Sequence, residues 1–282
     1  MKKNKLTKEE ERVIIHKGTE QPFSGEYDKH FENGVYLCRQ CNAMLYWSKD
    51  KFDSHCGWPS FDQKIPGAVK RIPDPDGQRT EIMCNNCQGH LGHVFTGEHV
   101  TKKNVRHCVN SVSLKFVPKK EMKIGKAIVA GGCFWGVEYY MKKAPGVIQV
   151  TSGYTGGQKD NPTYKEVCSG TTGHLEAVEI LFDPAITTYE NIIKLFFEIH
   201  DPTQVGRQGP DIGEQYSSAI FYIDEEQKKI AEKLTQQLKK KGYKIETKLK
   251  KASKFWNAEE FHQDFYEKKG STPYCHGYVK RF

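Results

Sequence analysis

Cys38-Arg39-Gln40-Cys41 and Cys84-Asn85-Asn86-Cys87 decide how the first hundred residues of this chain fold. A CxxC turn presents two sulfurs from one knuckle, and two knuckles complete a tetrahedral shell of four thiolates for Zn2+. The stretch between Cys41 and Cys84 is longer than in a zinc finger, so the spacing describes an ion that staples two loops across a β fold. Four cysteine ligands leave no open position for water, which makes such a zinc structural. One CxxC acting as a redox pair, or four packed cysteines without metal, fits less well, because both pairs fall in one small domain.

Around the knuckles the sequence predicts short strands at 36–37, 43–47, 80–83, 93–95 and 109–116, broken by turn signals such as Pro73-Asp74-Pro75-Asp76-Gly77. The run 111–117 alternates polar and apolar residues as a half-buried strand does. A polar lead-in covers 1–10, and 9–16 can form a short amphipathic helix. The character changes at Val117-Pro118-Lys119-Lys120-Glu121-Met122-Lys123, a charged link. Beyond it Lys126-Ala127-Ile128-Val129-Ala130 reads as a strand that runs through Gly131-Gly132-Cys133-Phe134-Trp135-Gly136 into a helix at 137–143. Further strands are expected at 147–151, 177–182 and 217–223, and helices at 188–200, 225–240 and 258–268. The expected organisation is α+β: a mostly β, zinc-stapled domain at 1–117, a linker at 118–124, and an α+β domain at 125–282.

Two domains suit a length of 282 residues, and 37% hydrophobic content suffices for packed cores. There is no apolar run of membrane-spanning length and no apolar segment behind the basic start, so neither a membrane partner nor secretion is expected. Nine cysteines, an odd number, argue against an extracellular disulfide framework and for a reducing cytoplasm. The net charge of +8 comes from lysines near the start, at 119–120 and over 228–254. They read as solvated faces, and without a recognition helix or an RNP-type aromatic motif no nucleic-acid partner is expected.

Five cysteines remain outside the knuckles: Cys56, Cys108, Cys133, Cys168 and Cys275. Cys108 opens a strand in Arg106-His107-Cys108-Val109-Asn110. Arg106 and Asn110 share its face by the period of two, and the Arg106 charge can favour a thiolate. Gly89-His90-Leu91-Gly92-His93-Val94-Phe95 brings two imidazoles, and Cys56-Gly57-Trp58-Pro59 brings a second thiol beside a tryptophan. Taken singly each piece reads as packing; together they read as a thiol site. Cys133 sits where a strand meets a helix, and free N–H groups at a helix start favour a thiolate. Phe134 and Trp135 can wall an apolar pocket, in which a carboxyl such as Glu176 stays protonated.

Residues 36–116 resemble methionine sulfoxide reductase B. The two CxxC pairs, Ser54-His55-Cys56-Gly57-Trp58-Pro59-Ser60-Phe61, Gly89–Phe95 and Arg106-His107-Cys108-Val109-Asn110-Ser111 carry the likeness. Residues 126–282 resemble methionine sulfoxide reductase A, through Gly132-Cys133-Phe134-Trp135-Gly136, Asn161-Pro162-Thr163-Tyr164, Gly173-His174-Leu175-Glu176 and Asp211-Ile212-Gly213-Glu214-Gln215-Tyr216. The first resemblance implies a β-sandwich-like fold that reduces the R-epimer of methionine sulfoxide. Cys108 matches the nucleophile, Cys56 the resolving cysteine, Trp58 the platform for the methyl, and His90, His93 and Asn110 the groups around the sulfoxide oxygen. The second implies a ferredoxin-like topology that reduces the S-epimer. Cys133 matches the nucleophile, Cys275 the resolving cysteine, Glu176 the acid, and Phe134 and Trp135 the methyl pocket. Tyr164 and Tyr216 match hydrogen-bond donors to the oxygen, Asp211 shapes the pocket, and Cys168 reads as structural.

Together the resemblances imply structural zinc, no organic cofactor, oxidised proteins or peptides as substrate, and thioredoxin as the reductant. The chain departs from the pattern in having one tail cysteine where some members have two, and Phe265 where a tyrosine is expected. The competing readings are a zinc-bearing redox sensor without turnover and a general disulfide oxidoreductase. The acid, aromatic wall and resolving thiol around each nucleophile argue against the first, and the assignment of both CxxC pairs to metal argues against the second.

Overall fold

The computed structural model of the chain describes residues 3–74 and 77–282; Pro75 and Asp76 of the expected turn, and the first two residues of the lead-in, lie outside them. The chain divides into two compact units, Met1–Lys123 and Ile124–Phe282.

In the first unit α1 (Lys8–Ile14) starts at a capping box. Thr7 Oγ1 accepts from the Glu10 N–H, and the Glu10 carboxylate accepts from the Thr7 N–H. Nine strands follow: β1 (Gly34–Cys38), β2 (Met44–Trp47), β3 (Lys51–Phe52), β4 (Ser60–Phe61), β5 (Val69–Pro73), β6 (Thr80–Cys84), β7 (His90–Thr96), β8 (Val105–Val109) and β9 (Leu114–Pro118). They form two antiparallel sheets, β2-β1-β9 and β3-β4-β8-β7-β6-β5. Tyr36 and Tyr46 of the small sheet pack on Phe61 of the large one, with ring centroids 5.1 and 4.3 Å apart.

The single strand expected at 109–116 is two strands in different sheets. Ser111–Ser113 forms a 3-10 turn between them, because the buried Glu20 carboxylate accepts from the Ser111 and Val112 N–H groups and takes them out of any ladder. The alternation continues across the break because each half still has one buried face.

The second unit contains β10 (Gly125–Gly131), α2 (Phe134–Met141), β11 (Val147–Thr155), α3 (Tyr164–Cys168), β12 (Leu175–Phe182) and α4 (Tyr189–Ile199). These are followed by β13 (Arg207–Gln208), β14 (Asp211–Ile212), β15 (Ser218–Tyr222), α5 (Glu225–Lys240), β16 (Lys248–Lys251), β17 (Trp256–Asn257) and α6 (Phe265–Lys269). The sheet order is β16-β15-β10-β12-β11-β17, with only β15 and β16 parallel among the described pairs. Along β10, Ala127 and Val129 join the helix-side core with Ile193, Phe196 and Phe197, while Ile128 and Ala130 pack with Phe221 on the other face.

The helix expected at 258–268 is not continuous. A 3-10 turn, Glu260–His262, and α6 flank Asp264, whose φ is +59°. The Gln263 side chain bonds the Ser152 backbone in β11, and the Asp264 N–H donates to the Glu138 carboxylate in α2. These contacts hold Gln263 and Asp264 out of the helical ladder, so tertiary contacts override the helical pattern. The C-terminal tail docks on α4: the Val279 N–H donates to the Glu198 carbonyl (2.7 Å) and Arg281 Nη1 to the Phe197 carbonyl (2.6 Å).

Candidate active sites and four-cysteine cluster

Strands β1 and β6 each end on the first cysteine of a CxxC, and the two knuckles close alike. Asn42 and Gln88 adopt left-handed backbone (φ +60° and +62°), and their N–H groups donate to the carbonyls of Cys38 (2.9 Å) and Cys84 (2.8 Å). Cys38, Cys41, Cys84 and Cys87 are all buried, and their four sulfurs lie within 4.8 Å of one another. Cys38 and Cys87 are 3.5 Å apart, and Cys41 and Cys84 are 3.6 Å apart.

The first thiol site follows from strand register. Cys108 on β8 pairs with His93 on β7 and with Ser60 on β4, so those three side chains emerge together. The loop before β4 carries Cys56, whose sulfur is 3.8 Å from that of Cys108. Trp58, His93, Phe95, Cys108 and Asn110 line a cavity of about 130 Å³. The Trp58 Nε1–H donates to the Glu20 carbonyl (3.2 Å), which fixes the indole plane. Asn110 accepts from the Glu20 N–H and donates to the Leu91 carbonyl, both at 3.0 Å.

The two histidines differ. His93 lines the cavity and meets Asp74 through Nε2 at 2.6 Å. His90 is buried beside it, its Nδ1 2.7 Å from Glu81, and it does not line the cavity. Arg106 reaches both thiols: it lowers Cys108 by its charge and a side-chain hydrogen bond, its Nη1 lies 3.5 Å from Cys56, Glu98 clamps it at 2.7 and 2.8 Å, and its guanidinium lies over Phe95. The resting charge follows that geometry. Cys56 is held down to about 4 by the Cys108 thiol first and then by the Ser54 and Ser60 hydroxyls, and Cys108 is pushed up by Cys56 and by burial.

In the second unit, Gly132 turns the chain from β10 into α2 at φ +93°, where a Cβ would lie 2.4 Å from Gln208. That turn leaves Cys133 at the helix N-cap. Glu176, one residue into β12, is 1% exposed; its Oε2 accepts from the Phe134 N–H at 3.0 Å, and its Oε1 has no hydrogen-bond partner among the described residues. Burial, with lesser repulsion from Asp211 and Cys275, pushes it up to about 8, so it is protonated at neutral pH.

The ligand atoms of Cys133, Asp211 and Cys275 lie within 4.8 Å of one another. Here too the helix start does not alone decide the charge. Cys275 and burial push the Cys133 thiol up against the Trp135 N–H, while Cys275 is lowered to about 6 by Cys133 and then His276. Burial first, then Glu176, raises the Tyr164 and Tyr216 phenols, Tyr216 to about 12, which keeps both as O–H donors. Trp135 is stacked on Phe265 (3.7 Å between centroids) and donates Nε1–H to His262 Nδ1 (3.1 Å), so a phenyl ring does the stacking where a tyrosine was expected. Cys168 is exposed at the end of α3.

Sequence reasoning missed the groups that hold these side chains: Glu20, Glu98, Glu259 and His262. Glu259 accepts from both the Tyr154 O–H (2.8 Å) and the Tyr164 N–H (3.0 Å). Only Glu98 carried a readable signal, since it lies in the loop that joins β7 to β8, eight residues before Arg106.

Two close thiol pairs, one half-buried and one buried, each beside a titratable side chain and an aromatic wall, define a thiol-dependent oxidoreductase with two separate centres. Residues 125–282 match the family described as peptide methionine sulfoxide reductase, and residues 6–118 match the SelR domain. The chain belongs to the peptide methionine sulfoxide reductase family, with a B-type domain fused ahead of an A-type domain. It is 51% identical over 150 residues to the peptide methionine sulfoxide reductase MsrA of Saccharolobus solfataricus, covering 53% of this chain and 85% of that protein. To MsrA of Thermus thermophilus it is 49% identical, again over 53% and 85%. The reduced form of Mxr1 from Saccharomyces cerevisiae superposes with a TM-score of 0.52 at 33% identity, over 57% of this chain and 93% of that one. The chain reduces methionine sulfoxide by thiol chemistry, the S-epimer through the A-type domain and the R-epimer through the B-type domain.

Proposed function

We propose that each domain runs its own sulfenic-acid relay in the repair of oxidised proteins. A sulfoxide sulfur is electrophilic only when its oxygen is protonated or strongly hydrogen-bonded. In the A-type domain Cys133 attacks sulfur while Glu176 gives its proton to the oxygen, with Tyr164 and Tyr216 donating to the same atom. Phe134 and Trp135 hold the methyl, and Asp211 shapes the wall. Methionine leaves, Cys133 carries the sulfenic acid, and Cys275 condenses with it to a disulfide with loss of water. In the B-type domain Cys108 attacks against Trp58, Cys56 resolves, and His93 is the better-placed donor because it lines the cavity that His90 does not reach. Asn110 stays at the wall, and Arg106 favours the Cys108 thiolate. The observation that carries this reading is the approach of one spare thiol to each nucleophile, at 3.8 Å for Cys56 and within 4.8 Å for Cys275.

Thioredoxin suits the last step, since each disulfide needs an external dithiol to reopen it by exchange. Zn2+ suits the four-cysteine cluster. Tetrahedral bonds of about 2.3 Å place sulfurs roughly 3.8 Å apart, close to the two observed spacings, and four buried thiolates need a cation. Cys38, Cys41, Cys84 and Cys87 would hold it, and it would supply folding free energy rather than chemistry. The aromatic contact between the two small-unit sheets favours a β-sandwich-like class. The order β15-β10-β12-β11 favours ferredoxin-like topology, with α2 and α4 as its two crossovers. Five thiols outside the cluster suit a cytoplasmic setting.

Exposing the chain to each sulfoxide epimer without reductant and mapping disulfides by mass spectrometry tests the relay. Bridges joining Cys133 to Cys275 and Cys108 to Cys56 are expected. Methionine release with neither bridge would sink it.

A further inference from the structure

His276 follows Cys275 in the docked tail, and both are buried. The ring is held at both nitrogens. Nε2 lies 2.7 Å from the Gly131 carbonyl oxygen, and Nδ1 lies 3.1 Å from the Cys275 sulfur. A carbonyl oxygen only accepts, so Nε2 carries the hydrogen, and in that tautomer the Nδ1 lone pair faces the thiol. The scaffold keeps a place for it: a Cβ at Gly136, in the first turn of α2, would fall 2.2 Å from Nδ1. Nothing but glycine at 136 lets the imidazole lie across the start of the helix that carries Cys133.

We propose that His276 is the general base of disulfide formation in the A-type domain, taking the proton of Cys275. The proposal rests on the reading of Cys275 as the resolving thiol. The Cys275 S–H bond breaks as its proton passes to Nδ1, and the sulfur pair forms the bond to Cys133. The S–O bond of the Cys133 sulfenic acid breaks, and the departing hydroxide takes a proton and leaves as water, so thiol and sulfenic acid become disulfide and water with no outside redox partner.

The titratable groups facing the pair are Cys133, Asp211 on β14, Glu176 on β12, His200 on α4, and the Tyr266 and Tyr274 phenols. His200 is held neutral by burial, down to about 3. That leaves His276 as the ring nitrogen within reach of the thiol, and its contact is the second cause, after Cys133, of the lowered Cys275 value.

The test uses the full chain carrying Cys108→Ser, so that only the A-type site turns over. S-epimer substrate is added without reductant, the Cys133–Cys275 disulfide is timed by quenched-flow mass analysis, and sulfenic acid on Cys133 is trapped with a dimedone-type probe. His276→Gln keeps an amide donor toward the Gly131 carbonyl but no base, and His276→Asn keeps an acceptor near Nδ1. An unassisted thiol with pKa about 8.5 is only roughly 3% thiolate at pH 7. Both variants should therefore form the disulfide about thirtyfold more slowly at pH 7, accumulate trapped sulfenic acid, and regain most of the rate above about pH 9. A wild-type rate and pH profile in both variants overturns the base role while leaving Cys275 as the resolver. A slow rate that high pH does not restore overturns it too, as the mark of a packing role. If wild-type sulfenic acid closes on a cysteine other than Cys275, the resolver reading falls and the proposal falls with it.

Discussion

The two units bring thiol to thiol by different means. In the B-type unit the proposed nucleophile, Cys108, sits mid-sheet on β8, between Ser60 and His93, and its partner Cys56 is lowered by Cys108 itself and by two hydroxyls. In the A-type unit the proposed nucleophile, Cys133, caps a helix, its partner rides on a docked tail beside an imidazole, and the proposed proton donor is a carboxyl sealed from water. The lesson is that sulfoxide reduction requires three placed groups, a sulfur nucleophile, a proton donor and a second thiol, and leaves the scaffold free. In each pair the first thiol is pushed up and the second lowered, because two sulfurs this close compete for one proton.

The scaffolds differ in what stabilises them, and the sharpest break in the comparison is there. The A-type unit buries Phe134, Phe196, Phe197 and Ile220 between sheet and helices, while the B-type unit has a three-stranded and a six-stranded sheet tied through an aromatic contact and one four-sulfur cluster. Removing metal with a strong chelator should unfold the B-type unit and abolish R-epimer reduction while the A-type unit keeps its transition, because structural zinc contributes on the order of 10 kcal/mol of apparent binding free energy. Calorimetry with and without chelator reads this; coincident melting curves would remove the metal from the fold. The reciprocal lesion is Cys133→Ser. It should abolish S-epimer turnover and leave R-epimer turnover within about twofold, measured on resolved sulfoxide epimers. Equal loss of both would mean that the centres are not independent.

Much of this was legible in the chain, for identifiable reasons. The CxxC knuckles, the Gly131-Gly132-Cys133 turn and the core strands carry their geometry within a few residues, so spacing alone placed them. The break at Ser111–Ser113 was not legible, because it depends on Glu20, some ninety residues away. The bend at Asp264 was hidden for the same reason, since the contacts that stop the helix come from Glu138 and Ser152. The short pairs β13–β14 and β17 have too few residues to show a period. At the sites, sequence named the side chains at the cavity and missed those behind them. Periodicity put Arg106 on the face of Cys108, yet no period could tell that Glu98 would clamp its guanidinium or that Cys56 would share it.

The finest test of the comparison is the proposed proton donor, a sealed carboxyl in one unit and an imidazole in the other. Glu176→Gln keeps the shape and the contact with the Phe134 N–H through its amide oxygen but cannot give up a proton of acid strength. S-epimer reduction should fall about a hundredfold, the lower end of general-acid contributions. Wild-type turnover should itself decline as pH rises past about 8, where Glu176 loses its proton, while the variant shows no such limb. Stability also falls with rising pH, over a lower window. A folded value near 8, above the ordinary unfolded carboxyl near 4.3, means the native state holds a proton that the unfolded chain has released. The wild-type fold therefore weakens as pH climbs from about 4 to 8 and levels off above, by a few kcal/mol at most. Glutamine has no such slope, so denaturation midpoints of the two proteins should separate in the variant's favour between pH 5 and pH 8.5. A fully active variant would take the acid role from Glu176, and parallel midpoints across that range would show that the carboxyl is not sealed from water.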